Sequence, residues 1–390
     1  MKINIAKLVL PIVLVAELGA LAATGPANPI LRAADSNDEN NTVRITPIGQ
    51  RTGEYCARDR ALLFEDPTGI RILYDPGVTV SGGADPRLGA VDAILVSHSH
   101  FDHIGYQKLT QNPDDPQAAC GITPVTSKFG NTTTAEIAAF KNSAVLVNGG
   151  MAVFLVRKIQ NVLGTCVGSS CRGVATPSCP SSNTEGSGAN ETVVPVGFPC
   201  TLGLAFGSLR ILTRAAGAPG VRINMVGALH SDSLFNPALL FTSDLAGEMN
   251  QDGLQGYDGL ANGFVLTFTN GLKVYLTGDT GPTSDMALIV RGIYHPKLVV
   301  ANMDGLNNMG PEEAAYAMTR LVEAAAVIPS HAEEAVTVNG QLKPNTRTAE
   351  FIRLLGGIPA YLPLSGRTME FNGKARCVGG CGQSDARNVD

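Results

Sequence analysis

The chain of 390 residues is poor in charge. Only 16% of it is Asp, Glu, Lys or Arg, against roughly 25% in an ordinary globular protein, which excludes a polyelectrolyte. Disorder is excluded as well, because it needs few apolar residues and a high net charge, whereas 44% of this chain is hydrophobic. A basic excess is missing: 29 Lys and Arg against 34 Asp and Glu leave a net charge of -5 and a pI near 5.7. Such a chain offers phosphate backbones no attractive field, so nucleic acid is not an expected partner. Internal repeats are lacking, and so are the paired CxxC spacings of a zinc knuckle. Histidine is scarce, with six in the whole chain.

Glycine and proline are plentiful, at 44 and 23 residues. They predict many short elements joined by turns and argue against long helical bundles. The first residues carry a basic start at Lys2 and Lys7, an apolar run from Leu8 to Ala16, and a small-x-small signal at Ala20-Leu21-Ala22. This pattern predicts a secretory signal peptide over 1–22, and hence a secreted or periplasmic protein. Pro11 and Glu17 interrupt the stretch of about 20 apolar residues that a bilayer span would need, so no stable membrane anchor is expected. Residues 23–41 read as a flexible linker, and 42–390 as one domain carrying a cysteine-rich insertion at about 164–197.

All eight cysteines lie beyond the leader, an even count that fits disulfides in an oxidising compartment. Cys377 and Cys381 are spaced to close a small loop. A zinc site from Cys166, Cys171 and Cys179 is the competing reading, weakened by the absence of a nearby histidine.

Short apolar runs at 43–48, 61–65, 70–74 and 93–96 predict strands, as do 209–213, 222–228, 263–268, 273–276 and 326–329. Asp66-Pro67-Thr68-Gly69 and Asn270-Gly271 carry hairpin signals. Residues 311–325 read as a helix with Pro at its start and acids in its first turn.

Chemistry concentrates in Ile94 to Gly105, ILVSHSHFDHIG, where an apolar strand runs into a loop holding His98, His100, Asp102 and His103. Three of the six histidines fall within these six positions, and a metal would favour their neutral, lone-pair-donating form. His230, Asp279 and His331 each follow another predicted strand. Strand ends are where residues distant in sequence converge on one sheet edge.

HSHFDH, followed in order by His230, Asp279 in TGDT and His331, resembles the metallo-β-lactamase superfamily of metal-dependent hydrolases. The order DPTGIRILYDPG, ILVSHSHFDHIG, GFVLTFTNGLKVYLTGDTG and MGPEEAAYAMTRLVEAAAVIPSH is similar, more narrowly, to the ascorbate-6-phosphate lactonase-like group. The resemblance implies an α/β fold, a four-layer αββα sandwich with the metals at one edge. It implies two divalent ions, zinc first, with manganese or iron as alternatives. His98, His100 and His230 would hold one, Asp102, His103 and His331 the other, and Asp279 would bridge them. A metal-bridging hydroxide would attack the substrate, with Asp102 also in a catalytic, proton-handling role. Asp75, in YDPG, is either a plain turn residue or a support behind the ligand loop.

Two departures stand out. Gly49-Gln50 replaces the Gly-His pair common in the family, and the stretch from His103 to His230 is long. His295 matches no ligand position and reads as a surface residue. The expected function is an exported binuclear hydrolase acting on an ester-like bond of a small molecule, with a lactone as one candidate. A phosphodiesterase or phospholipase D-like hydrolase is the second enzyme reading, and a non-catalytic metal-stabilised binding module the reading of another class. Oligomeric state is not predicted.

Overall fold

A computed structural model describes residues 41–109, 120, 125–127, 131–164, 179, 182–184, 191–195, 199–215, 217–230 and 259–381. The predicted leader and nearly all of the predicted linker lie outside the described residues, as do Cys166 and Cys171. Two eight-stranded mixed sheets form the frame. The first runs, in spatial order, Cys200–Leu204, Ala144–Asn148, Ala93–Leu95, Arg71–Tyr74, Leu62–Glu65, Val43–Pro47, Met369–Phe371 and Cys377–Gly379. The second runs Ala326–Ser330, Leu298–Asn302, Lys273–Leu276, Asn262–Thr267, Val221–Gly227, Leu209–Thr213, Glu191–Pro195 and Ser182–Thr184.

Strand alternation explains the layers. Along Arg71–Tyr74, Ile72 and Tyr74 join the core between the sheets, which also contains Ile223, Phe264, Leu276 and Ile328. Leu73 points the other way, into a cluster with Ile137, Leu155 and Ile159 from the helices Thr133–Lys141 and Gly149–Leu163. On the far side, Val265, Val299 and Val327 of the second sheet pack against Met318, Val322 and Phe351. Both sheets are therefore covered by helices on their outer faces, the four-layer αββα order of a metallo-β-lactamase fold. Among the described residues, no helix is long and apolar enough to cross a membrane.

Both predicted hairpins form. Gly69 takes φ +81° and Gly271 φ +86°, left-handed values that a side chain would strain. The helix begins at Pro311 with Glu312 and Glu313 in its first turn, as expected, and after Tyr316 continues as a π-type helix over Ala317–Val322. His295 is an exposed residue that closes the helical segment Met286–Tyr294, its N–H donating to the Val290 carbonyl at 3.0 Å.

Within the cysteine-rich insertion, Ser182–Thr184 and Glu191–Pro195 extend the second sheet, the latter pairing in parallel with Leu209–Thr213. Cys179 is bonded to Cys200, which removes it from the alternative zinc set. Cys56 pairs with Cys120, and Cys377 with Cys381 as the spacing suggested.

Candidate metal centre

Parallel pairing puts the ends of several strands on one edge. Arg71–Tyr74 runs parallel to Ala93–Leu95, so Asp75 and the loop starting at Ser97 leave the first sheet together. Lys273–Leu276, Leu298–Asn302 and Ala326–Ser330 are likewise parallel neighbours, so Asp279, Asp304 and His331 leave the second sheet side by side. Val221–Gly227 reaches the same edge through two antiparallel pairings and delivers His230. The first loop then turns into a four-residue helix, Phe101–Ile104, whose backbone places Asp102 and His103 one after the other beneath the cluster.

All seven side chains named from the sequence meet at this edge. Asp279 Oδ2 lies at its centre, 3.3 Å from the Nε2 atoms of His103 and His331 and 3.8 Å from those of His98 and His230. His100 Nδ1 is 3.3 Å from His230 Nε2. Asp102 Oδ2 is 3.4 Å from His331 Nε2 and 3.8 Å from His103 Nε2. Three overlapping groups could each hold a cation: His98 with His100 and His230, His98 with His103 and Asp279, and Asp102 with His103 and His331.

The backing of this cluster fixes its protons. Asp75 is fully buried, and its Oδ2 lies 2.8 Å from His103 Nδ1, so that nitrogen donates and leaves a lone pair on Nε2. The same carboxylate accepts from the Ser97 N–H at 2.8 Å and from the Ser97 hydroxyl at 2.7 Å. With its proton committed there, Ser97 Oγ is left to accept from His98 Nδ1 at 3.0 Å, which turns the His98 Nε2 lone pair inward too. Asp75 is therefore the support behind the ligand loop rather than a turn residue alone. Asp304 Oδ2 stands 3.3 Å from His331 Nδ1 and plays the same part for the third imidazole. Asn302 Nδ2 donates to Asp279 Oδ1 at 2.8 Å, leaving Oδ2 facing the cluster.

An arginine braces the remaining carboxylate. Arg60, almost wholly buried, contacts Asp102 Oδ2 through Nη1 and Glu333 Oε1 through Nη2 at 2.9 Å. Glu333 also meets Arg58 at 3.6 Å. Both His331 and Glu333 hold positive φ, +59° and +49°, a backbone that costs energy unless its surroundings fix it. Arg347 adds to that fixing by donating to the carbonyls of Ala332 and Glu333.

Asp304, Asn302, Ser97 and Arg60 were not among the sequence candidates. The rule that found Asp279, an acid just past an apolar strand, would have found Asp304 had the strand Leu298–Asn302 been recognised. Arg60 lies in CARDRALL and carries no spacing signal. Gln50, at the position of the missing histidine, is buried, its N–H donating to Asp59 Oδ1 at 2.6 Å.

Charge is distributed unevenly. Burial, then the neighbouring His103, holds His98 well below the usual imidazole range, and burial with His103 and His230 lowers His100 to about 4. Burial lowers His230 as well. For His103, burial also pulls downward, but Asp279 and Asp75 outweigh it and raise the group to about 9. Asp279 is held well below the carboxylate range by His331 and His103, against the upward pull of burial.

Do these residues fit a metal? Among the described residues, the Nε2 atoms of His98, His103 and His331 are buried without a hydrogen-bond partner. A buried polar atom left so costs about 1–3 kcal/mol. Three such nitrogens converging on one carboxylate oxygen are explained by a cation, and imidazole with carboxylate suits zinc, manganese or iron.

The chain is similar to known metal-dependent hydrolases. The family model of the β-lactamase superfamily domain matches residues 58–188. A UPF0173 metal-dependent hydrolase of Polynucleobacter asymbioticus is 30% identical over 320 residues, covering 79% of this chain and 82% of that protein. Another, of Cupriavidus necator, is 27% identical over 335 residues, covering 84% of this chain and 86% of that protein. Among solved structures, the metallo hydrolase Igni18 of Ignicoccus hospitalis is 19% identical, covers 85% of this chain and 99% of its own, and superposes with a TM-score of 0.48.

Proposed function

The chain belongs to the UPF0173 family of metal-dependent hydrolases, and on that premise we propose that it is an exported hydrolase of an ester-like bond, a lactone among the candidates, working with two divalent metal ions. One observation carries the reading: four imidazole nitrogens stand 3.3–3.8 Å from a single carboxylate oxygen, Asp279 Oδ2. Such an oxygen can serve two cations, one toward His98, His100 and His230 and one toward Asp102, His103 and His331. Bound there, the metals would lower the pKa of water from 15.7 to about 7 and polarise the substrate oxygen.

The chain's own residues do the rest. Asp75, directly and through Ser97, holds His103 and His98 in the tautomer whose Nε2 lone pair faces inward. Asp304 does so for His331, and Asn302 keeps Asp279 from rotating. Arg60 holds Asp102 in place, and that carboxylate would take a proton from the attacking water and pass it to the leaving group. Export is supported by the leader-like start and by cysteine pairs that persist only in oxidising compartments.

The test measures metal content and the hydrolysis of lactones, aryl esters and bis-aryl phosphate by the purified, metal-replete protein beside an Asp279→Ala control. Two metals per chain and ester cleavage lost in the control are expected. Cleavage of the phosphodiester alone would move the reading to a phosphodiesterase. A single metal with no cleavage that depends on Asp279 would overturn it.

A further inference from the structure

The edge that gathers the ligands also gathers exposed apolar side chains. Phe101, Phe206, Leu229, Leu260 and Leu306 are five of the twelve large hydrophobic side chains exposed among the described residues, each between 42% and 68% open to solvent. All five lie where the chain enters or leaves the two sheets beside the metal centre. Phe101 sits between His100 and Asp102 at the start of the ligand helix, Leu229 immediately precedes His230, and Leu306 follows Asp304 by two positions. Asn262 pairs with Gly227, and the bond from the Ala228 N–H to the Ala261 carbonyl carries that ladder one step further, so Leu260 and Leu229 come opposite each other. Phe206 lies two positions past Cys200–Leu204, which runs parallel to Ala144–Asn148 and through it to the strand that feeds the ligand loop.

These side chains are carried on fixed backbone. The Leu229 N–H donates to Thr280 Oγ1 at 2.9 Å and its carbonyl accepts from the Gly281 N–H at 3.0 Å, which ties it to the loop of Asp279. The Leu306 N–H donates to Asp304 Oδ1 at 2.6 Å, and the Leu260 carbonyl accepts from Asn148 Nδ2 at 3.3 Å. Beside Phe206, the Gly207 N–H donates to the Met225 carbonyl at 2.9 Å. A lone exposed leucine is ordinary on a folded protein, but several held around one site mark a place where apolar matter binds. Exposed charge is missing from the same segments. Residues 98–106, 204–207, 228–230, 259–261, 277–283 and 303–309 contain neither Lys nor Arg, and their three acids, Asp102, Asp279 and Asp304, are buried.

Position chooses the occupant. Because the apolar residues flank individual ligands, a substrate whose reacting carbonyl meets the cluster must extend across them. Leu229 and His230 line one cavity of about 660 Å³, to which Pro282 and Met309 add apolar wall and Glu313 a carboxylate. A partner protein laid over all five would close the site to its substrate, whereas an acyl chain belongs to the substrate itself.

We propose that this apolar rim binds the acyl chain of the substrate, so that the preferred esters are those of medium-chain fatty acids taken up as single dissolved molecules, with Leu229, Leu260 and Leu306 setting the preference. The proposal rests on the ester-hydrolase reading and names its substrate class.

p-Nitrophenyl acetate, butyrate, hexanoate and octanoate, each kept below the concentration at which it aggregates, test it on the metal-loaded full chain. Corrected for spontaneous hydrolysis, kcat/KM should rise about twofold per methylene, the gain of a half-buried methylene, and so about sixtyfold from acetate to octanoate. Leu229→Ser, Leu260→Ser and Leu306→Ser should each lower the octanoate-to-acetate ratio about threefold. Leu288→Ser, at an exposed leucine of the helical segment Met286–Tyr294, should leave that ratio as it was. A flat series, a rise that comes only once the ester aggregates, or a Leu288 effect equal to the others overturns the proposal. Phenyl ketones of the same chain lengths have no leaving group, and their binding, followed by calorimetry, separates the two readings. Affinity that climbs with chain length and falls in the three leucine variants, without any ester cleavage, sinks the ester reading and keeps the rim. Affinity indifferent to chain length sinks the rim whether or not esters are cleaved.

Discussion

The two halves of the cluster are built on opposite plans. On one side, each of Asp102, His103 and His331 has a charged group behind it: Arg60, Asp75 and Asp304. On the other, His100 and His230 are half-buried, and among the described residues no carboxylate stands behind either. The braced side raises His103 to about 9, while the open side lowers His100 to about 4. One residue type thus supplies both a charge-held anchor and a set of neutral lone pairs facing the substrate. The difference assigns rigidity to one half and access to the other.

Asp279 belongs to both halves, so its loss should be the most damaging. Asp279→Asn is expected to empty both metal positions and lower kcat/KM by about a thousandfold, or about 4 kcal/mol in the barrier. Metal analysis alongside kinetics checks this. A variant that kept one metal with half-normal activity would show that the two halves do not share this oxygen.

Arg60→Met removes the brace from one side only. It leaves Asp102 and Glu333 buried without their partner, and breaking such a pair costs about 3–5 kcal/mol. Thermal or denaturant unfolding should show that loss in metal-free protein and a smaller one after loading, because the metal restores positive charge beside Asp102. Equal losses in both states would mean that Asp102 faces Arg60 and not the metal. Asp75→Asn should act more mildly, lowering metal affinity about 10–100-fold, since its carboxylate orients the imidazoles without touching the ion. Competition with a chelator measures it, and the expected signature is one metal lost ahead of the other.

In both halves the candidate ligands were legible and the residues that brace them mostly were not. Four candidates sit in HSHFDH, and the others stand where apolar runs end, so residue scarcity and strand endings were enough to name the seven side chains that meet at this edge. The strands Ala144–Asn148 and Leu298–Asn302 were missed, because a short continuous apolar run fully buried in a parallel sheet shows no alternation. With Leu298–Asn302 went Asn302 and Asp304. Arg60 was invisible for another reason: its partners Asp102 and Glu333 are 42 and 273 positions away, and only the folded sheets bring them together. The paired strands inside the insertion were hidden by a polar, glycine-rich composition that reads as loop.

Proton release gives the finest comparison of the two halves. At pH 7.5 in metal-free protein His103, raised to about 9, carries a proton that a metal must displace, whereas His98, His100 and His230, all lowered, are already neutral. Loading should therefore release about one proton per chain from His103 on the braced side, in addition to the proton lost by metal-bound water. Calorimetry in buffers of different ionisation enthalpy reads the sum, and the His103 share should fall away as pH rises through about 9 and shrink in Asp75→Asn. The same shifts shape metal-free stability from both directions. Because its folded value is raised, the contribution of His103 is complete below about 6.5, the free imidazole value, and is lost as pH rises through about 9. The lowered group His100 works the other way: below about 6.5 the unfolded chain takes up a proton that the folded cluster refuses down to about 4, so stability falls with acid. Metal-free protein should then show its highest Tm near pH 6.5, with a decline on either side. In Asp75→Asn the alkaline decline should flatten while the acid one persists; a variant that lost both would show that the two halves titrate as a single unit.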